Sequence, residues 1–330
     1  CISTYFLHEP INCEKSQYDL FRFDVQYQVP LYQRRYIWDE TNWNTLWDDI
    51  RSQAELKRRC EDGRHFIGAI VTRPIERESG QPSRFKVIDG QQRLATFQII
   101  LCAIRDICQS SDYADIAEYA NHLILNSPIV TDISGTPDAR YKFLPTSFDV
   151  EAFRAIIAGD QTRNGNHLIL QAYNYFKAQI VAYIAGGRKK MSGLLSAVAH
   201  DFVVVEIHLD SSDRPEKIFE SINASGRNLS EFGLLRNNIF LRAGVDSNRL
   251  YHEYWQHFDD GPLWTPETLS KFLRDFLTAK LGIEIETHDL FNLYNQHYRP
   301  NLGANQGVEH ELAELRGYAE VYREKLERDV

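Results

Sequence analysis

The sequence has no run of 18 apolar residues and no charged-then-apolar leader at its start, which argues against a membrane span and a signal peptide. A soluble, cytoplasmic protein with no membrane partner is the expectation. Five cysteines, at positions 1, 13, 60, 102 and 108, form no C-x-x-C pair, and their odd number predicts reduced thiols rather than a disulfide scaffold. Eleven histidines make no H-E-x-x-H and no Cys/His cluster with zinc spacing, so no metal ligands are assigned from spacing. Methionine is nearly absent, with Met191 alone, and the first residue is Cys1, so the chain is expected to be a piece of something longer. Internal repeats and low-complexity tracts are missing. An excess of positive charge is missing too: the net charge of −9 disfavours a protein that clamps duplex DNA over its whole surface. Residues 1–110 hold 15 Lys/Arg against 15 Asp/Glu, whereas 111–330 hold 22 against 31, so phosphate-binding chemistry is expected in the front third.

What is present is enough apolar surface for about two domains, since 43% of 330 residues are hydrophobic. Trp43, Leu46, Trp47 and Ile50 have helical spacing and predict a helix over 43–59. Two apolar runs, Phe66–Val71 and Phe85–Ile88, read as strands separated by Pro74, Gly80 and Pro82. Leu94, Phe97, Ile100, Leu101, Ile104 and Ile107 mark the buried face of a helix over 91–108. From Tyr113 to Met191 the period is mostly helical, broken at Ser127-Pro128, Gly135-Thr136-Pro137 and Gly186-Gly187. A β-branched strand returns at Phe202–Ile207, followed by helices over 215–222 and 231–241. Helices are predicted over 248–258, 266–281, 288–298 and 308–328.

Three segments carry candidate chemistry. In Val87-Ile88-Asp89-Gly90-Gln91-Gln92-Arg93-Leu94, a strand ends in a tight Asp-Gly turn and a helix begins at once. The free N–H groups of a helix start favour an anion, and Arg93 adds a planar fork suited to phosphate oxygens. Asp89 suits a metal or a water, and Gln91 or Gln92 suits positioning of a nucleophilic water. The plainer alternative is that Asp89 caps a core helix. The second segment, Val29–Trp38, interleaves Arg34 and Arg35 with Tyr32, Gln33, Tyr36 and Trp38, a mixture able to stack on a base while pairing with phosphate. Its alternative is a strand edge with solvated arginines and a satellite core of Tyr32, Tyr36 and Trp38. The third runs from Ile218 to Ser230 and combines a helix end, a loop with Gly226 and a Ser-capped helix. There Asn223 either satisfies a helix C-terminus or faces a site, with Arg227 nearby.

Two superficial motifs are rejected. His288, Asn292, Asn295 and His297 fall within one amphipathic helix and lack the hairpin of a His-Asn-His nuclease. Gly186–Lys190 follows a helix rather than a strand and is not a phosphate-binding loop.

Taken in order, Pro30-Leu31-Tyr32-Gln33-Arg34 with Tyr36 and Trp38, Leu46–Ile50, Phe66-Ile67-Gly68, Ile88–Leu94, and Phe219–Asn223 with Gly226 and Leu229 resemble the N-terminal domain of GmrSD-type restriction enzymes over about residues 25–245. Arg35 stands where that family often has a proline. The family in turn is similar to the ParB/sulfiredoxin fold, in which a polar strand-to-helix junction binds nucleotide phosphates. The resemblance implies an α+β fold: a small mixed sheet with helices, then a mainly helical region. The core would span 1–110, with a helical insertion over 111–200. The returning strand and helix-loop-helix over 201–245 would complete it, and 246–330 would lead to a missing C-terminal His-Asn-His nuclease domain. It implies a nucleoside triphosphatase, GTPase-like, coupled to restriction of modified phage DNA. The NTP is the substrate and Mg²⁺ accompanies it. Asp89, Gln91, Gln92 and Arg93 would act in catalysis, and Tyr32, Gln33, Arg34, Arg35, Gly90, Asn223 and Arg227 would bind the nucleotide. A homodimer is compatible with this reading. The alternatives are a module that grips modified DNA without turnover and a scaffold whose nucleotide sets its oligomeric state.

Overall fold

The computed structural model describes residues 13–59, 61, 63–76, 80–160, 165–185, 187–210, 213, 230–260, 263–285, 289–302 and 307–328. The chain divides into two compact units, one through Pro30 and over Arg34–Asp213, the other Leu31–Gln33 with the chain beyond Asp213.

The first unit is built on a six-stranded mixed sheet. Its strands are β1 (Cys13–Ser16), β2 (Val25–Gln28), β3 (His65–Ile75), β4 (Ser83–Asp89), β5 (Phe143–Leu144) and β6 (Phe202–His208), in spatial order β1-β6-β3-β4-β2-β5. β3 runs antiparallel to β4 and parallel to β6, which places the returning strand in the sheet that bears Val87 and Ile88. β1, β2 and β5 are short additions that the apolar pattern did not predict. Their pairing with longer neighbours supplies what their own sequences lack.

The helices follow from period and capping. α1 (Gln17–Phe21) opens on a capping box made by Ser16 and Asp19. α2 (Glu40–Arg58) opens on another, made by Asp39 and Asn42, and buries Trp43, Leu46, Trp47, Ile50 and Ala54 at helical spacing. α3 (Gln91–Ser110) starts directly after β4 and is buried along almost its whole length, as expected of a central helix. α4 (Ala114–Ile124), α5 (Pro128–Ser134), α6 (Val150–Ile157), α7 (Leu168–Tyr183) and α8 (Arg188–His200) follow, with breaks at Ser127 and Gly135 where the sequence placed them. One core joins Tyr27, Ile70, Val87, Phe202 and Val204 of the sheet to Phe97, Ile100 and Ile104 of α3, Phe176 of α7 and Leu194 of α8. Cys102 and Cys108 lie buried and unbridged in α3, where burial pushes the Cys102 thiol up to about 12.

Two buried polar side chains stand in for backbone. Asn126 accepts from the Val25 N–H and donates to the carbonyls of Val25 and Ala139, tying the start of β2 to the α5 region. Lys142, fully buried, donates to the carbonyls of Phe21 and Phe23, and burial lowers it to about 8.

The second unit is helical. α9 (Glu231–Ala243) is capped by Ser230, whose Oγ accepts from the Gly233 N–H. Helical stretches over 247–260 and 290–301, each containing a π turn, alternate with Pro266–Leu281 and Val308–Arg328. The predicted helical tail is observed, with ends displaced by no more than a few residues. Its core is aromatic: Phe232, Phe240, Trp255, Phe258, Trp264 and Phe272 meet ring to ring. Asn292 and Asn295 bond within their own helical stretch, to Asp289 and Arg299, which agrees with rejecting a nuclease there; His288 lies outside the described residues. Among the described residues no helix is long and apolar enough to cross a membrane.

Candidate functional site

β4 ends at Asp89 and α3 begins at Gln91, with Gly90 between them at φ +94°. Only glycine suits this position, because an added Cβ would lie 2.6 Å from Ile70 Cγ2 and 3.2 Å from the Ile70 Cα. Among the described residues no side chain caps α3, and the first-turn N–H groups of Gln91, Gln92 and Arg93 have no helical carbonyl to serve. Asp89 is therefore not the helix cap that the plainer reading allowed. Its Oδ2 accepts from Arg93 Nη2 at 3.3 Å, and its other oxygen has no partner among the described residues.

Arg93 is not the exposed, lightly packed arginine that its first-turn position suggests. Its fork spans the backbone of β3, donating from Nη1 to the Ile67 carbonyl at 3.0 Å and from Nη2 to the Ala69 carbonyl at 2.5 Å. The side chain is 23% exposed, and burial lowers its pKa while Asp89 opposes that shift. The geometry explains the clasp. The β3–β4 ladder stops at Val71↔Asp89, so the carbonyls of Ile67 and Ala69 lie beyond the end of β4, and the guanidinium supplies the donors that a longer strand would have given. Between those carbonyls sits Gly68 at φ +103°, in a register irregularity of the β3–β6 ladder, and a Cβ there would fall 2.1 Å from Arg93 Nη1. Gly68 is a site residue that the motif reading used only as part of a pattern. An isolated glycine inside an apolar strand is the signal that points to it.

The two glutamines hold the second segment. Gln92 acts as a peptide group, its Nε2 donating to the Arg35 carbonyl at 3.0 Å and its Oε1 accepting from the Ile37 N–H at 2.9 Å. Gln91 Nε2 donates to the Arg34 carbonyl at 3.1 Å. Both amides are thus engaged with backbone, a role different from the positioning of a water. Between the two anchors, Tyr36 points into the core. Trp43 Nε1 donates to its hydroxyl, the hydroxyl donates to Thr96, and Thr96 donates to the Gln92 carbonyl. Burial pushes the Tyr36 phenol far above its ordinary value. The Tyr36 N–H donates to Asp149 Oδ2, which also accepts from Thr146, while Asp149 raises the pKa of His167. Asp149, Thr96 and Trp43 were not legible as site supports, because the contacts that make them so are long-range.

The structure therefore brings the backbone of Arg34 and Arg35 to the side chains of Gln91 and Gln92, which adjoin the Asp89–Arg93 pair in sequence. Arg35 is exposed and lies over the Phe148 ring at 4.2 Å. Tyr36 and Trp38 are core packing, as the alternative reading had it. Tyr32 and Gln33 belong to the second unit, where the buried Tyr32 ring stacks on Phe240 at 5.3 Å, so Tyr32 offers no exposed face to a base. Asn223 and Arg227 lie outside the described residues.

Over residues 15–240 the chain matches the family described as GmrSD restriction endonuclease, N-terminal domain. The chain belongs to this family. A search of curated proteins finds no match. The match includes the β4–α3 junction, most of α9 and the whole sheet apart from Cys13 and Glu14 of β1.

The donor set at the junction limits which metal it can hold. Among the described residues no three His, Cys, Asp or Glu side chains converge as a metal cage, and Asp89 is the single carboxylate at the turn. One carboxylate fits a Mg²⁺ that is held mainly by substrate phosphates and water, and does not fit a structural zinc or calcium site.

Proposed function

We propose that this chain is the NTP-hydrolysing, modified-DNA-sensing domain of a modification-dependent, anti-phage restriction enzyme, acting with a separate nuclease module. The observation that carries this reading is the uncapped start of α3 beside one carboxylate and two arginine-bearing residues. In it, the N–H groups of Gln91, Gln92 and Arg93 receive a phosphate, and Arg34 and Arg35 add positive charge from the segment that the glutamines hold in place. Gly90 lets the phosphate approach the backbone. Asp89 orients the attacking water or holds the Mg²⁺ that arrives with the nucleotide and neutralises phosphate charge. Arg93 is a positioning residue in this scheme, since its fork is committed to β3 and to Asp89. Asn223 and Arg227 enter as nucleotide contacts through the family resemblance.

The test is NTP turnover by the purified chain with Mg²⁺, alone and with DNA carrying sugar-modified bases or backbone sulfur, for wild type and Asp89→Asn. Wild type turns over NTP, modified DNA changes the rate, and Asp89→Asn loses about 10²-fold or more in kcat with nucleotide Kd little changed. Absence of turnover with every NTP, or wild-type kcat in Asp89→Asn, rejects the hydrolytic reading. DNA binding that persists without turnover would support the binding module in its place.

A further inference from the structure

The sheet face opposite the core carries a row of cations with no carboxylate partner among the described residues. Register places Gln28 of β2 beside Lys86 of β4, and Lys86 opposite Arg73 of β3; one step along, Gln26 lies beside Arg84. Residues two apart on a strand share a face, so Arg73, Lys86 and Arg84 point the same way, while Tyr27, Phe85 and Val87 pack on the core side. Like charges directly opposite one another in a ladder are destabilising. Burial and the neighbouring Arg73 together lower the Lys86 pKa.

None of the three cations pairs with a carboxylate among the described residues. Arg73 Nη2 reaches the Asp210 carbonyl at 3.3 Å and Arg84 Nη2 the Glu76 carbonyl at 3.2 Å, while Arg84 Nε is buried and has no hydrogen-bond partner there. Other surface arginines of this unit are matched: Arg154 holds Asp138 and Glu151, and Arg58 holds Glu55. Beside the row opens a cleft of about 470 Å³, lined by Gln26, Gln28, Arg84, Asp138, Ser147 and Arg154 among others. That volume suits a group of nucleotide size. The Asp138 charge on its wall is answered by Arg154 at 2.6 Å.

We propose that this face is the DNA-contact surface of the domain: the phosphodiester backbone of a DNA strand runs along Arg73, Lys86 and Arg84, beside the adjoining cleft. The proposal rests on the reading of the chain as a DNA sensor and assigns the surface that reading leaves open. A polyanion relieves the repulsion between Arg73 and Lys86. The net charge of −9 makes a local row of cations meaningful, since the chain as a whole does not attract DNA.

The test is a fluorescence-anisotropy titration of the 330-residue chain with a short duplex, unmodified and modified, at several salt concentrations. Wild type is compared with Arg73→Gln/Lys86→Gln/Arg84→Gln and with the single Lys86→Gln. The triple variant is expected to bind at least about tenfold more weakly at moderate salt. Its slope of log affinity against log salt falls by about 2 to 3, and that of Lys86→Gln by about 1. NTP turnover without DNA should hold, and the thermal midpoint of neither variant should fall, because each removes the like-charge contact between Arg73 and Lys86. A wild-type slope in both variants overturns the proposal while leaving the sensor reading intact. Failure of the wild-type chain to bind any duplex overturns that reading together with it. If the triple variant misfolds, an unchanged slope in the folded Lys86→Gln is still the refuting result.

Discussion

Gly68→Ala tests the clasp between α3 and β3 with a single methyl group. The substitution meets two obstacles. At φ +103° an L side chain is strained, at a cost of about 1–2 kcal/mol, and the new Cβ would stand 2.1 Å from Arg93 Nη1, so the guanidinium must leave. Its departure strips the charge-assisted bonds to the Ile67 and Ala69 carbonyls, at about 1.5–3 kcal/mol each when made. Partial hydration of the released arginine brings the loss to about 3 kcal/mol, and the sum to about 4–5 kcal/mol. For a unit of this size that is a fall of roughly 10–15 °C in thermal midpoint, at about 2–4 °C per kcal/mol. A urea-melt cycle with Arg93→Ala separates the two contributions. Arg93→Ala alone should cost about 3 kcal/mol, and the double variant should be no worse than Gly68→Ala, giving a coupling near 3 kcal/mol. Additive losses, or a wild-type midpoint in Gly68→Ala, would refute the argument that Gly68 is glycine because Arg93 occupies its side-chain space.

Three further outcomes follow from particular contacts. Asn126→Ala removes bonds to Val25 N–H, Val25 O and Ala139 O in a buried setting, and is expected to cost about 3 kcal/mol in a denaturant melt. Gln92→Ala should raise nucleotide Kd more than it lowers the thermal midpoint, because it frees the segment bearing Arg34 and Arg35 while leaving α3 buried; equal effects on both would make Gln92 a purely structural latch. His257 is held down to about 4, by burial first and Arg316 second, and its Nε2 is buried with no hydrogen-bond partner among the described residues. Its unfolded form takes up a proton near pH 6.5 and its folded form only near 4, so the stability of the helical unit is fully present above pH 6.5 and declines as pH falls toward 4. The decline amounts to up to about 3 kcal/mol. His257→Phe should flatten that part of the pH profile of the midpoint, and an unchanged profile would show that His257 is not its source.

Much of this architecture is legible in the sequence where one element buries a continuous face. α2, α3 and the helices over 266–281 and 308–328 follow from apolar period, and β3, β4 and β6 from β-branched runs. β2 was missed although Val25-Gln26-Tyr27-Gln28 alternates strictly, because four residues of alternation are outweighed by the aromatic cluster that follows. β1 and β5 are set by their partners: Lys15 finds the buried Glu206 of β6, and Phe143-Leu144 is two residues long. At the junction, the order Asp-Gly-Gln-Gln-Arg fixed the turn and the helix start. It could not show what each side chain bonds, because Gln91 and Gln92 reach residues 57 positions away and Arg93 reaches back across 26.

The way residues 34–37 are held has a consequence for motion. A strand is released only by breaking its ladder, but this segment is fixed to α3 by two amide side chains and to the Asp149 carboxylate by one N–H. The part-buried contacts of Gln91 and Gln92 can be exchanged for water by a rotamer change, without disturbing the sheet, whereas the Tyr36 N–H and its Asp149 acceptor are buried. The Ile37 amide should therefore exchange hydrogen through local opening, far faster than the amides of β3 or α3, which require global unfolding. A phosphate bound between the segment and α3 would close that opening, so protection at the Ile37 peptide group would report ligand occupancy at a site where the rest of the fold stays still.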